Sequence, residues 1–66
     1  MQTTEKLYDV VAVDLKTDEI LWVEPNKTER NADAIIKMAI MRQGVEDRFF
    51  VAVDAGKYKA GDKRKP

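Results

Sequence analysis

Residues 7–25 read LYDVVAVDLKTDEILWVEP, and this stretch decides the fold. The Val-rich segment at residues 7–15 predicts a β-strand, and ILWVE at residues 20–24 predicts a second one. The polar KTDE between them predicts a tight turn, so the two strands form a β-hairpin. A regular two-residue tip puts Val13 opposite Trp22 and both side chains on one face.

Both faces of the predicted hairpin are apolar. One predicted face carries Val11, Val13, Leu15, Ile20 and Trp22, and the other carries Tyr8, Val10, Ala12, Leu21 and Val23. An antiparallel sheet with one solvated side alternates apolar and polar residues instead. The pattern is therefore unusual for a hairpin with a solvated side.

The segment after Pro25 predicts one helix. Asn26 or Thr28 is the expected N-cap, and Gly44 supplies the C-terminal stop. The helix is expected from about residue 28 to residue 43. Its polar stripe consists of Arg30, Asp33 and Lys37, and the opposite face consists of Ala32, Ile35, Ile36 and Ala39. The apolar arc is widened by Ala34, Met38 and Met41 on one flank and by Ile40 on the other, which is more than one small sheet requires.

The segment FFVAV at residues 49–53 predicts a third strand. The fold class is therefore α+β, with order ββαβ and one helix packed on a three-stranded antiparallel sheet. The first strand is the most apolar, which favours the sheet order 2-1-3, with 1-2-3 as the alternative. We expect a disordered N-terminus at residues 1–6, a single domain at 7–56 and a basic flexible tail at 57–66 that can be removed without unfolding the domain.

The sequence Val-Ala-Val-Asp occurs twice, ending at Asp14 and at Asp54. Two carboxylates at matching strand ends suggest a cation site or an acid–base pair. In antiparallel neighbours, however, the carboxyl ends of the strands point in opposite directions. We therefore expect the two acids far apart, each simply ending its strand. The segment GKYKAGDK at residues 56–63 lacks the Lys-Ser/Thr and the following helix of a phosphate-binding loop.

The composition argues against several classes of function. The 66 residues contain no Cys and no His, so disulfides, thiolate metal sites and imidazole acid–base chemistry are excluded. We expect no enzyme, no cofactor and no metal site. No apolar run approaches the roughly 20 residues of a membrane span, and the polar start MQTTEK is unlike a signal peptide. We therefore expect a cytoplasmic protein that does not contact membranes.

A chain this small buries a marginal core, and oligomerisation is the stabilising device still available to it. We predict a homodimer at micromolar concentration and a role as a small protein-interaction module. The broad helix arc and the two-sided hairpin favour an apolar interface, because Trp and Met are enriched at such surfaces. The predicted interface residues are Trp22, Ala34, Met38 and Met41.

Two other surfaces are alternatives. The first is a nucleic-acid accessory role for the basic tail, in which cations bind phosphates and Tyr58 stacks on a base; its residues are Lys57, Tyr58, Lys59, Lys63, Arg64 and Lys65. The second is docking of a basic partner on the acids of the hairpin, which are Asp9, Asp14, Asp18, Glu19 and Glu24. We expect solvated surfaces in both places.

The segment from Asn26 to Asp62 resembles a run found in small uncharacterised proteins of phages and prophages. The similar elements are Glu29-Arg30-Asn31-Ala32, Met38-Ala39, Arg42, Gly44-Val45, Phe49-Phe50 and Gly56-Lys57-Tyr58. The resemblance covers a little over half of the chain. It implies a phage or prophage accessory factor in a bacterial cytosol, and it implies no catalytic residues.

Overall fold

The computed structural model describes residues 6–64. Its elements in chain order are β1 (Tyr8–Asp14), β2 (Ile20–Lys27), α1 (Glu29–Gln43) and β3 (Arg48–Asp54). The three strands form one antiparallel sheet in the order β2-β1-β3. The predicted α+β class and the 2-1-3 order are therefore confirmed, with the most apolar strand at the centre.

The predicted register of the hairpin is wrong, first because the turn is longer than the predicted two-residue tip. The Asp14 N–H donates to the Glu19 carbonyl at 2.9 Å, so that Ile20 lies two residues out of the predicted register. Val13 lies opposite Ile20, but Ala12 lies opposite Trp22, so Leu21 is an extra residue in a β-bulge. Such a bulge moves the side chains that follow it to the other face of the sheet, and the pairing shifts once more between Val10 and Tyr8. Trp22 therefore shares a face with Ala12 and not with Val13.

Helix α1 covers the face that carries Ala12. Thr28 caps the helix by accepting a hydrogen bond on Oγ1 from the Asn31 N–H at 3.3 Å, and Gly44 ends it at φ 78°. These ends confirm the predicted cap and stop. The helix buries Ala32 and Ala39 against the sheet, and these small side chains let the helix backbone approach closely.

Trp22 and Phe50 stack over Ala12 on the helix-covered face. Both residues lie opposite Ala12, one on each neighbouring strand. Their ring centroids are 5.7 Å apart with an interplanar angle of 29°. A larger side chain at position 12 would separate the rings, so Ala12 is a requirement of this contact.

Residues 57–64, which we call the C-terminal strap, cross the other face of the sheet. Tyr58 packs against the buried cluster of Val11, Val13 and Ile20. The strap then hydrogen-bonds to the start of β2: the Ile20 N–H donates to the Asp62 carbonyl at 2.7 Å, and the Gly61 N–H donates to the Ile20 carbonyl at 2.8 Å. The two-sided apolar hairpin is thus covered by the helix on one side and by the strap on the other.

This packing differs from the predicted flexible tail at residues 57–66. The sequence pattern suggested a segment without contacts, because Lys and Gly dominate it and Tyr58 is its only large apolar residue. That one ring fills the space above the cluster and brings the segment onto the sheet. Residues 65 and 66 of the predicted tail, and residues 1–5 of the predicted disordered N-terminus, lie outside the described residues.

Candidate interaction surfaces

The predicted interface residues on the helix are exposed. Met38 is 50% and Met41 is 85% exposed, and Ala34 lies on the same outer side. We call Ala34, Met38 and Met41 the Met flank. Met38 also lines a groove of about 300 Å³ between the helix and β2, together with Trp22, Glu24, Ile35, Ala39, Arg42 and Gln43.

Trp22 occupies the floor of this groove and is half-buried. Its indole Nε1–H donates to Gln43 Oε1 at 3.4 Å, and its ring stacks on Phe50. The structure therefore brings Trp22 and Met38 together in one groove. Ala34 and Met41 lie beside that groove on the outer side of the helix and do not line it.

A second, larger groove of about 860 Å³ runs along the other flank of the helix. Ala52 of β3 and Tyr8 of β1 form its sheet side, and Asp33 and Ile36 belong to its helix side. Ile40 follows Ile36 by one helical turn on this flank and is 43% exposed. This flank therefore faces the outer edge of β3.

Two basic residues of the strap contact the domain, Arg64 through its side chain and Lys63 through its backbone. The Arg64 guanidinium lies 5.0 Å from the Phe49 ring centroid and 3.8 Å from Asp18 Oδ1. Lys63 pairs with Glu19 in an isolated β-bridge. Tyr58, the predicted base-stacking residue, packs against the core cluster, with the Lys57 Nζ 5.7 Å from its ring centroid. Lys59 is exposed, and Lys65 lies outside the described residues.

Asp9 is a buried structural residue and not a surface acid of the hairpin. It is 3% exposed. Its Oδ1 accepts a hydrogen bond from the Asn26 N–H and its Oδ2 accepts one from the Gly56 N–H, both at 2.9 Å. Asn26 and Gly56 have φ values of 58° and 82°, so one carboxylate of the central strand fixes one left-handed residue inside β2 and another just after β3. An Asp inside a Val-rich strand was the available signal in the sequence.

Asp14 and Asp54 lie at opposite ends of the sheet, as predicted. Asp14 pairs with Arg48 in the β1–β3 ladder, whereas Asp54 pairs with Tyr8 at the other end. Backbone N–H groups of Thr17 and Lys16 hold the pKa of Asp14 below its usual range. The two repeated acids therefore share no site.

The Asp54 carboxylate is held by a different kind of contact, at the exposed end of β3. Its Oδ1 lies 2.8 Å from the Lys6 Nζ. This hydrogen-bonded ion pair lowers the pKa of Asp54 and raises the pKa of Lys6. The two carboxylates are held by separate contacts, so these shifts are local features of a turn and of a surface ion pair.

The hydrogen-bond pattern identifies the free backbone groups of β3. The Ala55 N–H donates to the Leu7 carbonyl, and the Leu15 N–H donates to the Asp47 carbonyl. The register between β1 and β3 is regular from end to end, so hydrogen-bonded pairs alternate and odd-numbered residues of β3 bond to β1. The N–H and C=O groups that point to the outer edge belong to Arg48, Phe50, Ala52 and Asp54.

Among residues 6–64 there is no group of three or more Asp, Glu, His or Cys side chains that could hold a metal ion. No helix within the same range combines the length and the apolar character needed to cross a membrane. In comparisons with known proteins, the chain matches no family model, no curated protein and no solved structure.

Proposed function

We propose that this chain is a small non-enzymatic protein-interaction module that binds a protein partner through the Met flank and the adjoining groove. One observation carries the proposal: Met38 and Met41 are 50% and 85% exposed directly beside a groove with an indole floor. Unbranched Met side chains adapt to different apolar surfaces, and a half-buried Trp is a frequent anchor of binding energy.

The charges around the groove specify the chemistry of the partner. Arg42 lies on one side of the groove and makes no salt bridge within residues 6–64. Glu24, on the sheet side, already has Lys27 at 3.8 Å. The partner surface that fits is therefore an apolar segment with a carboxylate that can pair with the Arg42 guanidinium.

The non-enzymatic part of the proposal rests on residue types and on their placement. The sequence offers no His or Cys, and the carboxylates with lowered pKa, Asp14 and Asp54, are separated by the length of β1. The resemblance to small phage and prophage proteins supports a bacterial cytoplasm as the setting. The packing of Tyr58 on the core argues against the alternative of a nucleic-acid tail, because its ring is not free to stack on a base.

The test is affinity capture from a bacterial lysate with matched variants of the Met flank. We expect a protein that is retained by the wild-type chain and lost by the double variant Met38→Ser/Met41→Ser. Val45→Ser is the control, because Val45 is 53% exposed and lies outside the helix. Arg42→Glu should also weaken retention if the partner carries the expected carboxylate.

Retention should persist at raised salt, because burial of apolar surface is not screened as exposed charges are. A captured protein counts as support only if the Met38→Ser/Met41→Ser chain loses it and the Val45→Ser chain keeps it. Equal retention by all the variants would contradict the proposal.

A further inference from the structure

We propose that β3 pairs edge to edge with β3 of a second copy of this chain, antiparallel and centred on Val51. This pairing would join the two sheets into one continuous sheet. It uses the outer edge of β3, which lies across the sheet from the groove proposed for the protein partner. The proposal goes beyond the partner-binding function and can hold or fail independently of it.

The outer edge of β3 has the backbone groups that such a pairing needs. The seven residues of β3 contain no proline, and the outward N–H and C=O groups belong to alternate residues from Arg48 to Asp54. An unpaired row of this kind is a template for another strand. In the antiparallel register centred on Val51, Arg48 and Phe50 of one copy exchange hydrogen bonds with Asp54 and Ala52 of the other.

Side-chain complementarity selects this register. It places the Arg48 guanidinium opposite the Asp54 carboxylate of the other copy at both ends of the paired strands, and the large Phe50 opposite the small Ala52. Centring on Phe50 instead places Asp54 opposite Glu46, and centring on Ala52 places it opposite Phe50. Opposite charges stabilise cross-strand pairs and like charges destabilise them, so the Val51 register is favoured.

The contacts within one copy leave groups available for these ion pairs. Arg48 donates through Nε to Asp47 at 3.1 Å and through Nη1 to Gln43 at 3.0 Å. A guanidinium has five N–H donors, so the Nη2 donors remain. Asp54 contacts Lys6 through Oδ1, and its Oδ2 is the acceptor for the second copy.

This pairing would also bury the exposed apolar flank of the helix. Helix α1 packs on β3 and β1 more than on β2, and the flank with Ile36 and Ile40 faces the open edge. With strands about 4.8 Å apart, two helices placed in this way would lie about 10 Å from each other, which is a normal helix packing distance. The 43% exposed Ile40 would then be buried between them.

The first test is sedimentation of the full chain at micromolar concentrations, with charge reversals at both ends of the edge. We expect a dimer for the wild type. Arg48→Asp and Asp54→Arg should each weaken dimerisation by at least about tenfold, because each change opposes like charges twice in the symmetric dimer. The double variant Arg48→Asp/Asp54→Arg should return the dimer dissociation constant toward that of the wild type.

The second test is cross-linking, which the absence of native cysteine makes unambiguous. Val51→Cys places the two thiols at a directly opposed pair, within the Cα separation that a disulfide requires. We expect this variant to oxidise to a disulfide-linked dimer. Val53→Cys is the control on the same face, because its two thiols would be offset by four residues, or roughly 13 Å.

Thermal melting of each variant checks that the fold is retained. A monomer throughout the concentration range would overturn the proposal, as would equal cross-linking of Val51→Cys and Val53→Cys. A dimer that ignores the charge reversals but is lost in Met38→Ser/Met41→Ser would assign self-association to the Met flank and would also overturn it. Partner binding by the Met flank is tested separately, by affinity capture with the same Met variants. A failure of that proposal can therefore be distinguished from a failure of the edge pairing.

Discussion

The two outer strands flank the same central strand, but their outer edges differ. On β2, both backbone groups of Ile20 bond to the C-terminal strap. Pro25, further along β2, has no N–H to present. On β3, the edge from Arg48 to Asp54 faces outward with no strand beside it within residues 6–64. Ile20 is completely buried, whereas no residue of β3 is.

The path of the chain explains the difference. The strap begins beyond β3, at the end of the sheet where Asp54 pairs with Tyr8. It then crosses the face that Tyr58 covers and reaches the start of β2. A segment of this length covers one face and closes one edge. The contact that hides the second apolar face thus also determines which edge stays open.

The largest expected effect is the difference in stability between proline substitutions at two neighbouring positions of β3. The Val51 N–H is expected to bond to β1, so Val51→Pro should cost about 3 kcal/mol by leaving a buried carbonyl unpaired. The Ala52 N–H points to the open edge, so Ala52→Pro should cost less than about 1 kcal/mol in the monomer, at concentrations below those at which two copies pair. Chemical denaturation of both variants gives the comparison, and equal losses of stability would contradict the assignment of the edge.

The next effect concerns Asp9, which connects the ends of both outer strands. Asp9→Ala removes the acceptor of the Asn26 and Gly56 N–H groups, and we expect a loss of about 2 kcal/mol. For a domain of this size that is a large share of the total stability. Denaturant unfolding measures the loss, and Asp33→Ala, an exposed acid on α1, is the control. A similar small change in both variants would show that Asp9 is not a structural residue.

Substitutions of Tyr58 test whether the strap closes the edge of β2. Tyr58→Ala should destabilise the domain by about 1.5 kcal/mol, because half-buried aromatic packing is lost. Amide hydrogen exchange should accelerate at Ile20, whose N–H bonds to the strap, and should not change at Ala52. Tyr58→Phe keeps the ring and should behave like the wild type. A Tyr58→Ala chain with unchanged exchange at Ile20 would show that the strap closes this edge without the ring.

Much of the fold could be predicted because its signals are local. The Val-rich β1, the cap at Thr28 and the stop at Gly44 each act through neighbouring residues, and each prediction is confirmed. The register of Trp22 was wrong because a bulge at Leu21 depends on packing across the sheet and not on the turn alone.

The strap and Asp9 were missed for a related reason. Both act over long separations in the chain: Asp9 bonds to Gly56 across 47 positions, and Tyr58 packs on Val11 and Ile20. Because both are charged, the sequence alone predicts that Asp9 is a surface acid and that residues 57–64 are solvated. The exposed Met flank follows from helical periodicity, whereas the open edge of β3 required the hydrogen-bond pattern.

The smallest expected effect is the pH dependence of stability that comes from charges at the strand ends. Because the pKa values of Asp14 and Asp54 are lowered in the folded chain, the stability they contribute is present above the unfolded value of 3.8 and is lost as pH falls below it. Lys6 contributes in the opposite sense: its raised pKa stabilises the fold below 10.5, and that contribution is lost above it. Lys6 and Asp54 are exposed and Asp14 is only half-buried, so the effects are modest.

Salt distinguishes the two carboxylates. The Asp54–Lys6 ion pair is exposed to screening, with Lys57 as a further cation acting on Asp54, whereas Asp14 accepts short-range hydrogen bonds from two backbone N–H groups. Melting temperatures between neutral pH and pH values below 3.8 should therefore fall less steeply in Asp54→Asn than in the wild type at low salt. The two chains should converge at high salt, where an exposed ion pair contributes little. For Asp14→Asn the difference from the wild type should persist in salt, and convergence there would show that Asp14 too is held mainly by charge.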